Sequence, residues 1–508
     1  MKKPERGGTR GQGEGGRLRE GPAPELVAAA FGREIADAPI LYRGLSLADF
    51  AHVLMLIDVG VIPKDPGAQL LQLLLDLHAL PLDDFPLDAN LEDVYSNREA
   101  WVKKRDEAVA GWLGAGRPRR EPATIAYRMA VRERLLDLAG AIVSVGEALV
   151  AQAADNVDTV VPDYTYLQPA TPTSLAHYLL AFTYPLLRDA ERLRAAFART
   201  NQCPGGIGNI NGSRLPLDRR SLGDLLGFDD VVSNTRDAMW QVDQPIEVVS
   251  LALQHLLHLD RLAEDLQIWN TQEFAMVELA DRHARISMIM PQKKNPYALA
   301  YVRGITGSVM GRLVSMTAVA KTPSGQMDNR IFALGEVPRT LDDTTATTRL
   351  MAGVVAGLRF DRELMRERAG QGFTSATDLA ELVMQAEGLS YRQAHRLVGL
   401  AVRLTLEADR EANVVSRSSL EAAAREVLGR PLTIAEEALQ GLADPAEIVG
   451  TRRGVGGAAA EPVNQMMDEC RSALADHEQW RRDTSARIQA REERLLELAR
   501  ERAAPKRG

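Results

Sequence analysis

Residues 116–156 read GRPRREPATIAYRMAVRERLLDLAGAIVSVGEALVAQAADN. Pro122 suits a first helical turn, where a missing N–H costs nothing, and no proline follows until Pro162. Apolar residues recur at helical spacing throughout, so the stretch predicts one long helix. Similar patterns follow it. One is SLAHYLLAFTYPLLRDAERLRAAFART, where Pro185 is expected to kink or interrupt the helix. Another is PIEVVSLALQHLLHLDRLAEDLQIWN, apolar on more than one face and so suited to the inside of a bundle. A third begins near Tyr297 and runs past Val319. No clean alternating strand stands beside them, and the fold class read from these patterns is all-α.

Working outward, residues 1–22 are rich in glycine and charge and form an expected tail. Residues 23–121 alternate short helical patterns with proline turns and form a first domain. Residues 122–360 carry the central bundle of long helices. Residues 361–508 return to shorter helices and end in DHEQWRRDTSARIQAREERLLELARERAAP, a charged helix with a thin apolar stripe. Helices that are apolar all round need partners, and some are expected from other subunits.

The 508 residues are 45% apolar, 26% charged and only 5% aromatic, the balance of a soluble helical protein. A net charge of −8 argues against nucleic acid or an anionic membrane as partner. Cys203 and Cys470 are the two cysteines, and no secretion signal opens the chain, so a reducing cytoplasm is the expected location. No uninterrupted apolar run reads as a membrane span.

Four stretches carry candidate chemistry. His255 and His258 stand one turn apart, a spacing open to metal ligation, but the surrounding leucines favour packing. CPGGIGNINGSRLPLDR is glycine-dense yet lacks a dinucleotide fingerprint. It reads as a backbone approach to a ligand or as a plain turn. DYTYLQPATPTSLAHY puts Thr165 and Gln168 ahead of a helix, where capping is favoured over an anion site. Residues 286–296, ISMIMPQKKNP, set Ser287 among apolar side chains, then Lys293 and Asn295 between two prolines. A serine is a poor base unless N–H groups, a cation or a helix end stabilise its oxyanion. Composition alone favours an ordinary helix lead-in with solvated lysines.

MIMPQKKNP resembles the signature loop of the fumarase/aspartase superfamily, in the form found in argininosuccinate lyase. EGGRLREGP, ILYRGLSLADFAHVLML, EDVYSNRE, GRPRRE and YTYLQPATPTSLAHYLLAF resemble further elements of that branch, in order. GFTSATDLAELVMQAEGLSYRQAHRLVG and TRRGVGGAAAEPV resemble its C-terminal domain. The resemblance implies a three-domain helical subunit, a homotetramer around a core of long helices, and active sites built from three subunits. It implies β-elimination with release of fumarate, and no metal or organic cofactor. Carried over, Ser287 is the catalytic base, and Lys293 and Asn295 bind the carboxylate that takes up charge. Thr165, Gln168 and Asn97 match substrate contacts, Arg117 matches the arginine of GRSRND, and Gly206 and Gly208 match the glycine loop.

The departures gather in the pocket. The family histidine of YTHLQ is Tyr166, and the glutamate that pairs with it is Ala300. Tyr166 can donate a hydrogen bond but is not the same proton carrier near neutral pH. Pro118 and Arg120 replace a serine and an asparagine, and Arg120 is a candidate bidentate carboxylate clamp. Gln326, Ile331 and Leu334 fall where the family contacts the arginine half of argininosuccinate. The expected function is therefore a C–N lyase on an N-substituted aspartate or another substituted succinate, with an altered amine half. Argininosuccinate itself, a catalytically silent homologue and a different elimination or cycloisomerisation remain as alternatives.

Overall fold

The computed structural model describes residues 20–326 and 331–503. Most of the 1–22 tail, with most of EGGRLREGP, lies outside them, as do residues 327–330 of the segment after the signature loop. The chain is all-α, as its periodicity predicts. The first domain region is less fragmented than expected. It holds α1 (Ala38–Asp58) and α2 (Lys64–Ala79), followed by α3 (Val94–Lys103). From Leu45 to Leu56 α1 is buried on every side, and it carries Asp49 and His52 inward.

The long stretch forms α4 (Arg120–Ala154), a 35-residue helix. A hairpin of β1 (Val160–Thr165) and β2 (Gln168–Ser174) follows, where no strand pattern was evident. Then come α5 (Leu175–Thr200) and α6 (Asp243–Trp269). A two-residue ladder of β3 (Arg285–Ile286) and β4 (Lys294–Asn295) precedes α7 (Tyr297–Ala320) and α8 (Ile331–Ala356). Pro185 does not interrupt α5. Buried Leu179, Leu180, Leu186 and Leu193 anchor that helix on both sides of the proline, so packing outweighs the lost N–H.

α4 packs against α1, α5 and α8, and α6 packs against α7. The closing helix α9 (Ala460–Ala503) lies along α4, α2, α5 and α1. Its stripe of Val463, Met467, Cys470, Leu474, Ile488 and Leu495 joins the same apolar core as the first hundred residues and the central helices. A second core, Leu379 to Ile434, is formed by the helices between Ala376 and Leu428 together with Leu432 and Ile434 of the segment that follows. α1 and α4 have the length and mean hydropathy of a membrane span, although charged residues such as Arg43, Asp49, Asp137 and Glu147 interrupt both. However, 83% and 61% of their apolar windows are buried inside the protein.

Candidate active site

The signature loop is a small hairpin. Ile286 pairs with Lys294 and Arg285 with Asn295. Ser287 N–H donates to Lys293 O at 3.3 Å, and Lys293 N–H donates to Met290 O at 3.0 Å. The turn folds Met290 N–H onto Ser287 Oγ at 3.1 Å. A backbone donor therefore already points at the atom on which negative charge would sit. Asn295 Nδ2 donates to Arg285 O at 3.1 Å and closes the base of the loop. Lys294 Nζ lies 2.7 Å from both Glu278 Oε1 and Asp281 Oδ1, tying the hairpin to the preceding segment. Ser287 and Asn295 are half-buried and Lys293 is exposed. Met288 at the tip is 95% exposed.

Thr165 and Gln168 do not cap α5. They face each other as the last pair of the β1–β2 hairpin, and Ser174 is the cap, accepting from His177 N–H at 3.2 Å. Between them Tyr166 and Leu167 form the turn, and Tyr166 is 99% exposed. Among the described residues no hydrogen bond or ion pair links this tip to the signature loop of the same chain.

Of the remaining candidates, Asn97, Arg117 and Arg120 are engaged inside the subunit. Asn97 Oδ1 accepts Asp88 N–H at 2.7 Å, and its Nδ2 donates to Asp88 O and Asp93 O at 3.0 and 2.9 Å. Arg117 is buried against Asp49, 2.9 Å away, and Tyr95 OH, 3.3 Å away. Arg98 takes the other oxygen of Asp49 at 3.0 Å. Burial pushes the Tyr95 hydroxyl up to about 12, although Arg117 acts the other way. The fork of Arg120 is filled from within by the carboxylate of Glu34, and Asp93 lies 3.7 Å away. Arg120, Ile331 and Leu334 meet at one narrow cavity with Glu34, Asp37 and Asp93. Two separate departures from the family pattern thus converge in space. Gln326 is exposed, with its N–H on Pro323 O at 2.9 Å.

Gly206 and Gly208 have φ of 70° and 65°, and a Cβ on Gly208 would stand 2.4 Å from Gly212 O. The loop is held by Glu121, which the motif reading passed over. No sequence signal marks a carboxylate as buried, although its place directly before Pro122 puts it in the first turn of a helix. His255 and His258 are not paired with each other across a metal. Both turn Nδ1 toward Asp189 Oδ2, at 3.2 and 2.8 Å. Among the described residues no group of three or more His, Cys, Asp or Glu is arranged to hold a metal ion.

A lyase family model matches residues 56–311, and an argininosuccinate lyase C-terminal model matches residues 373–449. Argininosuccinate lyase of Methanoculleus marisnigri is 35% identical over 465 residues, covering 90% of this chain and 92% of its own. That of Methanothermobacter thermautotrophicus is 31% identical over 460 residues, covering 90% and 98%. The chain belongs to the argininosuccinate lyase branch of the fumarase/aspartase superfamily. It is a carbon–nitrogen lyase. Among solved structures, an EDDS lyase variant with bound fumarate superimposes with a TM-score of 0.86 at 29% identity, covering 95% of this chain and 96% of its own. A class II fumarase from Schistosoma mansoni shares the fold alone, with a TM-score of 0.69 at 14% identity, covering 83% and 94%.

Proposed function

We propose that this lyase cleaves an N-substituted aspartate by β-elimination and releases fumarate. The observation that carries the reading is the Met290 N–H on Ser287 Oγ, within a hairpin whose other strand carries Asn295 and follows directly on Lys293. The Ser287 alkoxide removes a proton from the carbon next to a carboxylate. The electron pair of that bond moves into the carboxylate, giving an aci-carboxylate held by Lys293 and Asn295. Its collapse forms the double bond of fumarate and expels the nitrogen on the neighbouring carbon, which takes up a proton. Removing one such fixed donor typically raises the barrier by about 3–4 kcal/mol.

The family supports a homotetramer in which three subunits build each site. The outward positions of Ser287's loop and of Tyr166 in a single chain are what such sharing requires. Thr165, Gln168 and Tyr166 would then enter a neighbour's site, with the Tyr166 hydroxyl near the leaving nitrogen. Asn97 and Arg117 would act as braces, since their polar groups are engaged inside the subunit. Two free buried thiols, Cys203 and Cys470, fit a reducing cytoplasm. Argininosuccinate itself is the second reading, favoured by the names of the relatives. Ile331 and Leu334 beside Arg120 favour a different amine half, because two apolar side chains stand where polar contacts to the arginine half are expected.

The test is the ultraviolet absorbance of fumarate, followed with a panel of N-substituted aspartates that includes argininosuccinate. At least one is expected to be cleaved, and Ser287→Ala should lower turnover by about 10²–10⁴-fold with the helical signal intact. Absence of fumarate from every compound, or full activity in the alanine variant, would sink the proposal.

A further inference from the structure

Among the fully enclosed carboxylates that the mechanism above leaves unused is Glu121. It lies in the first turn of α4, directly after Arg120, and is fully buried. Its Oε1 accepts Gly206 N–H at 2.9 Å and its Oε2 accepts Ile207 N–H at 3.1 Å. These donors belong to the glycine-rich loop, where Gly206, Gly208 and Gly212 hold positive φ. On the far side Arg219 Nε donates to Gly205 O at 3.0 Å and its Nη2 donates to Val232 O at 2.7 Å. The loop is therefore held between one anion and one cation. The anion sits on the segment that also carries Arg117, Arg119 and Arg120.

We propose that Glu121 is a positioning residue, whose ionised carboxylate fixes the glycine-rich loop against the GRPRRE segment. The proposal rests on the function given above, because both elements match motifs of that lyase family. The charge state follows from the partners. Each oxygen meets an N–H donor, so a proton on either would face a donor instead of an acceptor. The groups facing it are Arg117 from its own segment, Arg219 from the helix beginning at Arg219, and the Cys203 thiol at the head of the loop. Burial works against the charge, while the two N–H bonds and Arg117 favour it, and the carboxyl is pushed up to about 7. The loop should therefore loosen as pH falls through about 7.

The experiment compares the tetramer-competent full chain with Glu121→Gln and Glu121→Asp. One readout is kcat and KM for fumarate release against pH. The other is hydrogen exchange of the peptide covering residues 203–212, corrected for intrinsic exchange. Wild type should lose kcat/KM and loop protection as pH drops through about 7. The glutamine variant turns an amide N–H toward a backbone donor. It should be about tenfold or more slower above neutrality, expose the loop at every pH and lack the titration near 7. The aspartate variant should regain part of both. A glutamine variant with the wild-type pH profile and loop protection would overturn the proposal. If no N-substituted aspartate yields fumarate with wild type, the functional reading has failed, and loop exchange alone judges Glu121. A pH-dependent protection lost in the variant supports the proposal, and equal protection overturns it. If the glutamine variant does not fold, wild-type exchange that stays flat from about pH 6 to about pH 8 overturns it equally.

Discussion

Tyr166 and Leu167 hold φ of 54° and 57° at the tip of the β1–β2 hairpin. A two-residue turn of this kind needs a left-handed backbone at both central positions, and asparagine or glycine normally supplies it. Side chains larger than these carry about 1–2 kcal/mol of strain each in that conformation. Such strain persists where surroundings or function demand it, and here it thrusts a tyrosine fully into solvent. Leu167→Gly should raise stability by about 0.5–1 kcal/mol, read as a higher melting temperature. An unchanged or lower melting temperature would mean that the turn is not strained as described. The same absence of an Asn-Gly signal explains why the hairpin was not legible in DYTYLQPATPTS, where two prolines also obscure the alternation. Ser287 was legible, because its motif is local. Its partner was not, because the donor is a backbone N–H that every residue but proline carries.

At the level of elements, three helices meet on one carboxylate. Asp189 of α5 receives His255 and His258 of α6, and His255 Nε2 reaches Thr348 Oγ of α8 at 2.8 Å. Arg192 closes the other oxygen of Asp189 at 3.0 Å. The helical spacing of the two histidines was plain in the sequence. Their purpose was not, since Asp189 lies more than sixty positions away. Burial opposes the charge on Asp189, and the hydrogen bonds from His255 and His258 outweigh it, holding its carboxyl at about 2. This folded-state value lies below the unfolded one, so the contribution to stability is complete above about pH 4. It disappears as pH falls through about 2. Asp189→Asn should destabilise the protein by about 3 kcal/mol near neutral pH. Denaturant unfolding of both proteins should show the gap narrowing between about pH 4 and about pH 2, and a gap that ignores pH would refute the pairing.

For the whole molecule, the telling surface is one side of α7. Ala300, Gly304, Gly307, Gly311, Val314 and Ala318 recur at alternating steps of four and three, and all are exposed in the single chain. A Cβ added at any of the three glycines would meet nothing within 4 Å. A small apolar seam with this period suits close contact with another long helix. Val314→Arg should therefore lower the mass found by sedimentation. If three subunits build each site as proposed, it should also abolish lyase activity. A variant with the wild-type mass would place the subunit contact elsewhere.

The sequence by itself determined the helical class, the long helices of the bundle, the loop that carries Ser287 and the lyase family. Each of these depends on short-range regularities, a 3.6-residue period or a motif read in one window. Only the tertiary structure decided which carboxylate each arginine meets. Arg117 goes to Asp49, Arg120 goes to Glu34, and Glu121 takes hold of the loop at Gly206. Partners separated by 68, 86 and 85 positions leave no local trace. Burial, which sets how strongly such charges act on one another, is a property of the packed chain and of no single stretch of it.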